Sequence, residues 1–335
     1  MLNIKKIIGL VVLGVGLLNF TCKKQEIAKD ETVTFLTGIN NVGTDITQTN
    51  AYKVFTDFIS KNPPIEVSKK NVKIISQKIS VPYKLCPKEF KGGIEDYYGT
   101  WEWQDTGWVH VDPDNPRNGI LFRWNYTDEN YQSHVAKVLI DSIETQVISN
   151  DTLPSRLHIG VFLDDNKLAD FSFTASYNTN GEPTYVKVVV TIIGYGQVGV
   201  ELKNLVWEED EYGNRNIVAG TIHLWIIDYN NHNYRIDLTL TIKQDQSLSI
   251  LLADSDGWKV SINVSKPQTI IENGIPYTKR TVSGEITKDG KHAADITGII
   301  WEPEDDNHRT FVDVIFTDGS REPLQKYLTL IPGSY

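Results

Sequence analysis

Tyr234, Ile236, Leu238, Leu240 and Ile242 alternate one for one with Arg235, Asp237, Thr239 and Thr241. An extended strand with that period buries one face and wets the other, whereas a helix would scatter the same apolar side chains around its circumference. Trp258, Val260, Ile262 and Val264 repeat the pattern against Lys259, Ser261 and Asn263. Val198, Val200 and Leu202 do so against Gln197, Glu201 and Lys203. Parallel strands sheltered by crossover helices would be apolar on both faces, so the alternation selects antiparallel pairing.

Turn chemistry falls between the runs. Asp165-Asn166, Gly194-Tyr195-Gly196, Asn230-Asn231, Asp256-Gly257, Asp289-Gly290 and Asp318-Gly319 are hairpin dipeptides or close relatives of them. Strands of roughly 10–11 residues, about 33–37 Å long, fit between such turns. The expected fold is all-β: a long antiparallel meander from about Val72 onward, forming a curved sheet, a half-barrel or stacked sandwich layers. One short helix precedes it. Ala51, Val54, Phe55, Phe58 and Ile59 recur at helical spacing within Asp45–Lys61, and Pro63-Pro64 stops the run. The expected division is a leader over 1–21, a polar tether over 22–31, a helical segment over 32–65 and the β body over 66–335.

An internal repeat has a geometric consequence. Leu205-Val206-Trp207-Glu208-Glu209-Asp210-Glu211 matches Ile299-Ile300-Trp301-Glu302-Pro303-Glu304-Asp305, and in the same alignment Gly196 falls on Gly290. Successive turns of a meander alternate ends, so both acidic loops belong at the end opposite the two glycine turns. Carboxylates gathered on one rim suit Ca²⁺, which takes oxygen ligands, with Glu208, Asp210, Glu304 and Asp305 as the ligand candidates. Neither loop has the spacing of an EF-hand, and acidic runs in surface turns also serve simply as solvated faces.

The chain has 335 residues with 33 basic and 43 acidic side chains, a formal charge of −10. That balance opposes a phosphate-binding surface, which needs clustered Lys and Arg, so no nucleic-acid partner is expected. Two cysteines exclude a disulfide scaffold. Gly194–Gly199 spells G-x-G-x-x-G after a strand. The dinucleotide fingerprint requires a helix next, and here period two continues, so a glycine hairpin is expected and no cofactor. Seven histidines are dispersed without metalloprotease spacing, and no G-x-S-x-G elbow is present.

Lys5 and Lys6 precede an apolar run from Ile7 to Phe20. A spanning helix needs roughly 17–25 apolar residues and a signal-peptide core roughly 7–15, so the run reads as an export signal. No alanine precedes Ala28, which leaves no A-x-A cleavage site, and the run ends instead at Leu18-Asn19-Phe20-Thr21-Cys22 before Lys23 and Lys24. That ending resembles the signal of bacterial lipoproteins, in which the cysteine after the apolar core is lipidated and becomes the new N-terminus. Thr21 and Asn19 depart from the usual lipobox residues. The resemblance implies lipidation at Cys22, export, and anchoring to the cell envelope. Cleavage after Gly16 and an uncleaved anchor are the other placements of this leader. Cys86 is then the remaining thiol, with no spacing that ties it to a histidine.

Trp101, Trp103, Trp108 and Trp124, half of the chain's eight tryptophans, lie close together among Tyr97, Tyr98, Phe122, Tyr126 and Tyr131. Exposed, such a row would stack on sugar rings; buried, it is the thick end of the core. The core reading expects Val109 and Val111 across a hairpin from Trp103 and Trp101. The functional expectation is a non-enzymatic, lipid-anchored envelope protein that binds an apolar ligand or a protein partner through its sheet or a cavity. A carbohydrate-binding or glycan-processing protein using the Trp101–Tyr131 region is one alternative. A purely structural surface protein is the other.

Overall fold

A computed structural model describes residues 27–38, 49–61, 63, 94–148, 151–209, 215–230, 234–272, 275–303 and 309–327. The leader, Cys22, Cys86 and the stretch from Val72 to Gly93 lie outside them. Among the described residues the protein is all-β, with seventeen strands hydrogen-bonded into one mixed sheet and two short α-helices. It divides into two compact units. The central unit comprises Asp45–Glu201 and Asp228–Asn233; the terminal unit comprises Met1–Thr44, Leu202–Ile227 and Tyr234–Tyr335.

The central unit holds helix α2 (Asn50–Ser60) and strands β1 (Gly99–Gln104), β2 (Gly107–Asp112), β3 (Ile120–Thr127), β4 (Ser133–Ile148), β5 (Asp151–Leu163), β6 (Asn166–Tyr177) and β7 (Pro183–Ile192). β3 to β7 form the expected antiparallel meander. β1 departs from it: it pairs antiparallel with β2 and parallel with β3. The chain leaves β2 through Pro113–Gly119 and returns on the other side of β1, which no alternation of side chains could foretell.

One face of this meander is a dry core. Ile120 lies opposite Ile140, Phe122 opposite Val138 and Trp124 opposite Ala136, and the row continues through Ile159 and Val161. Helix α2 covers it with Ala51, Val54 and Phe58, one stripe at helical spacing. Thr49 caps the helix, its side-chain oxygen accepting the Tyr52 N–H at 3.2 Å. Phe58 is fully buried, with ring centroids 5.1 Å from Phe122, 5.6 Å from Trp124 and 5.8 Å from Trp108.

The terminal unit holds α1 (Lys29–Gly38), most of β8 (Gly196–Glu209) and β9 (Arg215–Asp228), and then β10 (Tyr234–Ile242), β11 (Leu248–Asp254), β12 (Trp258–Val264), β13 (Gln268–Glu272), β14 (Ile275–Lys288), β15 (Lys291–Pro303), β16 (Arg309–Phe316) and β17 (Arg321–Pro323). β14 carries β12 along one half and β13 along the other, and pairs with β15 on its far side. Several strands exceed the expected length, β4 reaching 16 residues and β14 reaching 14. The expected turn glycines take left-handed backbone angles, with φ of 78° at Gly194, 87° at Gly257 and 74° at Gly290. β8 runs on from Gly196 as a strand, so the G-x-G-x-x-G is a hairpin.

Gly298 marks a close approach of neighbouring strands. A Cβ there would sit 2.1 Å from the Phe311 carbonyl oxygen and 2.5 Å from the Val312 Cα. Since backbone cannot yield as a side-chain tip can, Gly298→Ala is expected to cost about 1–3 kcal/mol, read as a lower urea midpoint. An unchanged midpoint would mean that β15 and β16 separate freely.

The expectation of one helix and a tether reaching residue 31 is corrected by α1. Ile27 is buried and the helix begins at Lys29. Its sequence, KDETVTFLTG, lacks an apolar stripe of useful length. Tertiary packing supplies the stability instead. Phe35 stacks flat on Trp258, with centroids 4.6 Å apart and planes at 6°, and Leu36 is fully buried. Lys29 pairs with Glu322 at 2.5 Å, and Thr317 Oγ1 donates to the Ile27 carbonyl at 3.4 Å.

Glu322 also accepts from Lys326 and from the Tyr327 hydroxyl. Donation from Lys29 and these partners lowers its pKa to about 2. The group therefore adds stability above its ordinary range near 4.5, and that contribution fades as pH falls through about 2. Acidification from pH 5 to 2 is expected to raise amide exchange in 27–38, after correction for intrinsic rates. Glu322→Gln should flatten that response; an unchanged response would assign it to other carboxylates.

Candidate functional site

β14, β15 and β16 each bury one face. Val282 and Ile286, Ala294 and Ile296, and Val312, Val314 and Phe316 point inward. The opposite phase is wet along much of its length, with Thr281, Ser283, Glu285, Asp295 and Thr297 exposed. Toward the end remote from the Asp289-Gly290 turn, that wet phase changes character. Lys279 lies opposite Trp301, and Thr281, Ile299 and Phe311 form one cross-strand row.

Here the side chains gather into a surface cluster. Tyr277 and Trp301 meet edge to face, their centroids 6.1 Å apart and their planes at 89°. The Lys279 ammonium sits 5.6 Å from the Trp301 ring centre, a cation–π geometry. Phe311 is 61 % exposed, too open for a residue that contributes only to the core. An apolar side chain on a wet face loses burial energy unless something covers it, at roughly 25 cal/mol per Å². The cluster offers three aromatic side chains, one aliphatic side chain and one cation, a combination suited to a partner's apolar anchor with a polar rim.

The tryptophans singled out by sequence fall in the central unit. Trp124 is buried, its indole N–H donating to Asp57 Oδ2 at 2.7 Å. Trp108 packs edge to face on Phe122 at 5.0 Å and donates to the Lys61 carbonyl at 3.1 Å. Trp101 lies flat on His110, centroids 4.4 Å apart, and donates to the Tyr97 carbonyl at 2.9 Å. Trp103 meets Trp108 edge to face at 5.6 Å, with Lys61 Nζ 5.7 Å from its ring centre. Sugar stacking needs an open ring face, and Trp124 has none.

The expected pairing across this hairpin is off by one position. The turn at Asp105-Thr106 sets Gln104 against Gly107, so Trp103 faces Trp108 and Trp101 faces His110. Val109 and Val111 take the other phase and are 43 % and 41 % exposed.

On the wet side of the central unit, charged groups are matched in cross-strand pairs. His158 lies between Asp141 at 2.6 Å and Asp170 at 3.0 Å. His134 is held by Asp164 at 2.6 Å with Asp128 at 3.5 Å. The bond to Asp164 raises the His134 pKa above its ordinary value, and Asp164 is lowered in turn. Such pairs read as sheet-surface electrostatics. Among the described residues no three or more His, Cys, Asp or Glu side chains are placed to hold a metal ion. Of the acidic-rim candidates, Glu208 is exposed near the end of β8, and Asp210, Glu304 and Asp305 lie outside the described residues. Cys22 does too.

Sequence reasoning named Ile299 and Trp301 only as part of a repeat and passed over Tyr277, Lys279 and Phe311. The signal was nevertheless present: Ile299 and Trp301 share phase with Asp295 and Thr297, so apolar residues occupy positions that the alternation assigns to water. No known protein family, curated protein or solved structure matches the chain.

Proposed function

We propose that this chain is a lipid-anchored protein of the bacterial cell envelope, without enzymatic activity, that binds a protein partner through the wet face of its sheet. The observation that carries the reading is the Tyr277, Lys279, Ile299, Trp301 and Phe311 cluster, with Phe311 61 % exposed on a sheet face where Thr281, Ser283, Glu285, Asp295 and Thr297 are exposed and polar. A partner fits better than a small apolar ligand in a cavity, because helices already lie over inner-face residues in both units. Phe58 of α2 covers Phe122 and Trp124 in one, and Phe35 of α1 covers Trp258 in the other. Export and anchoring rest on the lipobox-like ending at Cys22.

Two experiments test this. Cys22→Ala should move the protein from the membrane fraction to the soluble one; retention in membranes would overturn the anchor. A photo-crosslinking amino acid at Phe311 of the lipidated chain, expressed in a bacterial envelope, should give one discrete protein adduct. The same group at Thr297, exposed on the same face of β15, should give none. Equal adducts from both positions, or none from Phe311, would overturn the binding face.

A further inference from the structure

We infer that α1 is the base on which the terminal unit stands, fixing its turn end toward the bilayer and its aromatic cluster away from it. The inference rests on the lipid anchor proposed above and concerns what that anchor would be attached to. Ile27 is buried against the sheet, its carbonyl accepting from Thr317 in the β16–β17 turn. Lys29 pairs with Glu322, and its ammonium lies 5.0 Å from the Phe316 ring centre, at the end of β16. Glu31 reaches Lys288 at 3.5 Å, beside the Asp289-Gly290 turn. Together with the Phe35–Trp258 stack next to the Asp256-Gly257 turn, these contacts seat the helix at one end of the unit.

Chain length then limits the anchor. Five residue steps separate Cys22 from Ile27, a span of at most about 18 Å. Lys291 begins β15 at the turn end and Trp301 follows ten residues later, about 33 Å along the strand. A lipid on Cys22, tethered within about 18 Å of where Ile27 is held, therefore falls well short of Trp301, about 33 Å along the strand. A freely jointed tether to residue 31 would have left orientation open; a docked helix closes it. The Tyr277, Trp301 and Phe311 cluster then stands clear of the headgroups, where an envelope partner can meet it.

The test uses the lipidated full chain with Cys86→Ser, carrying a fluorescent donor at Lys291→Cys or at Thr269→Cys, both exposed positions. Thr269 lies opposite Thr278 on β14, ten residues from Lys288. In vesicles containing an acceptor on the lipid headgroup, the loss of donor emission should be larger from 291 than from 269. Equal or reversed losses would overturn the inference. Adding Leu36→Glu, which places a carboxylate where Leu36 is fully buried, should free α1 and shrink that difference while the protein stays membrane-bound. A persistent difference in that variant would show that something other than α1 orients the unit. A chain that never enters the membrane fraction refutes the anchor itself, a result read before any energy transfer.

Discussion

Phe58→Ala is expected to lower the stability of the central unit by about 3–5 kcal/mol, the ordinary cost of emptying a buried aromatic site. Phe58 has no exposed surface and touches four rings, its centroid lying 6.1 Å from Phe55 besides the three on the sheet and hairpin. The hole could not collapse easily. Trp108 is tethered through its N–H to the Lys61 carbonyl, and Trp124 through its N–H to Asp57, itself paired with Lys61 at 2.9 Å. Both tethers run to the helix that carries Phe58 or to its C-cap, so the rings cannot follow the missing side chain without breaking a part-buried hydrogen bond. Urea unfolding followed by tryptophan emission measures the effect. A loss under about 1 kcal/mol would mean that α2 is not the lid of this core.

That expectation was only partly legible in the sequence. The stripe Ala51, Val54 and Phe58 was visible as helical periodicity, and the strands as alternation, because both report which face is dry. Where the dry faces meet was not visible. Trp124 depends on Asp57, 67 positions away, and no local pattern encodes that pairing. β1 lies between β2 and β3 because the chain crosses after Pro113, a choice made by topology. The hairpin phase at Trp101 and Trp103 turned on a single turn residue. Since a strand's side-chain period is two, one residue of error exchanges the faces, and Val109 and Val111 moved from core to surface.

The aromatic cluster of the terminal unit was missed for a different reason. Counting tryptophans drew attention to 101–124, where they are dense. Trp301 is isolated in sequence, and its neighbours Tyr277, Lys279 and Phe311 come from two other strands. Phase is the more informative signal: a Trp in register with Asp295 and Thr297 costs burial energy that a Trp in register with Ile296 would gain. Reading each strand for apolar residues out of phase would have found Ile299 and Trp301 before any count did.

Phe35→Ala carries the second large effect, and its character should differ from that of Phe58→Ala. The ring is 2 % exposed and stacked flat on Trp258, so its removal forfeits roughly 3–5 kcal/mol of docking. Yet α1 is short and polar, and the ion pairs of Lys29 and Glu31 are partly solvated and weak substitutes for packing. A helix held mainly by Phe35 and Leu36 can open while the strands beneath it stay paired, as marginal elements commonly do. Hydrogen exchange should therefore show residues 27–38 losing protection by about a hundredfold or more, each tenfold step being about 1.4 kcal/mol. Amides of β12, β14 and β15 should change little, because the pairs Val260–Ile286 and Ile286–Ala294 do not involve the helix. If those strands lost protection in step with 27–38, α1 would belong to the cooperative core of the terminal unit. The sheet would then need its N-terminal helix in order to fold, and detaching the helix from its seat would unfold the face that carries Trp301 and Phe311.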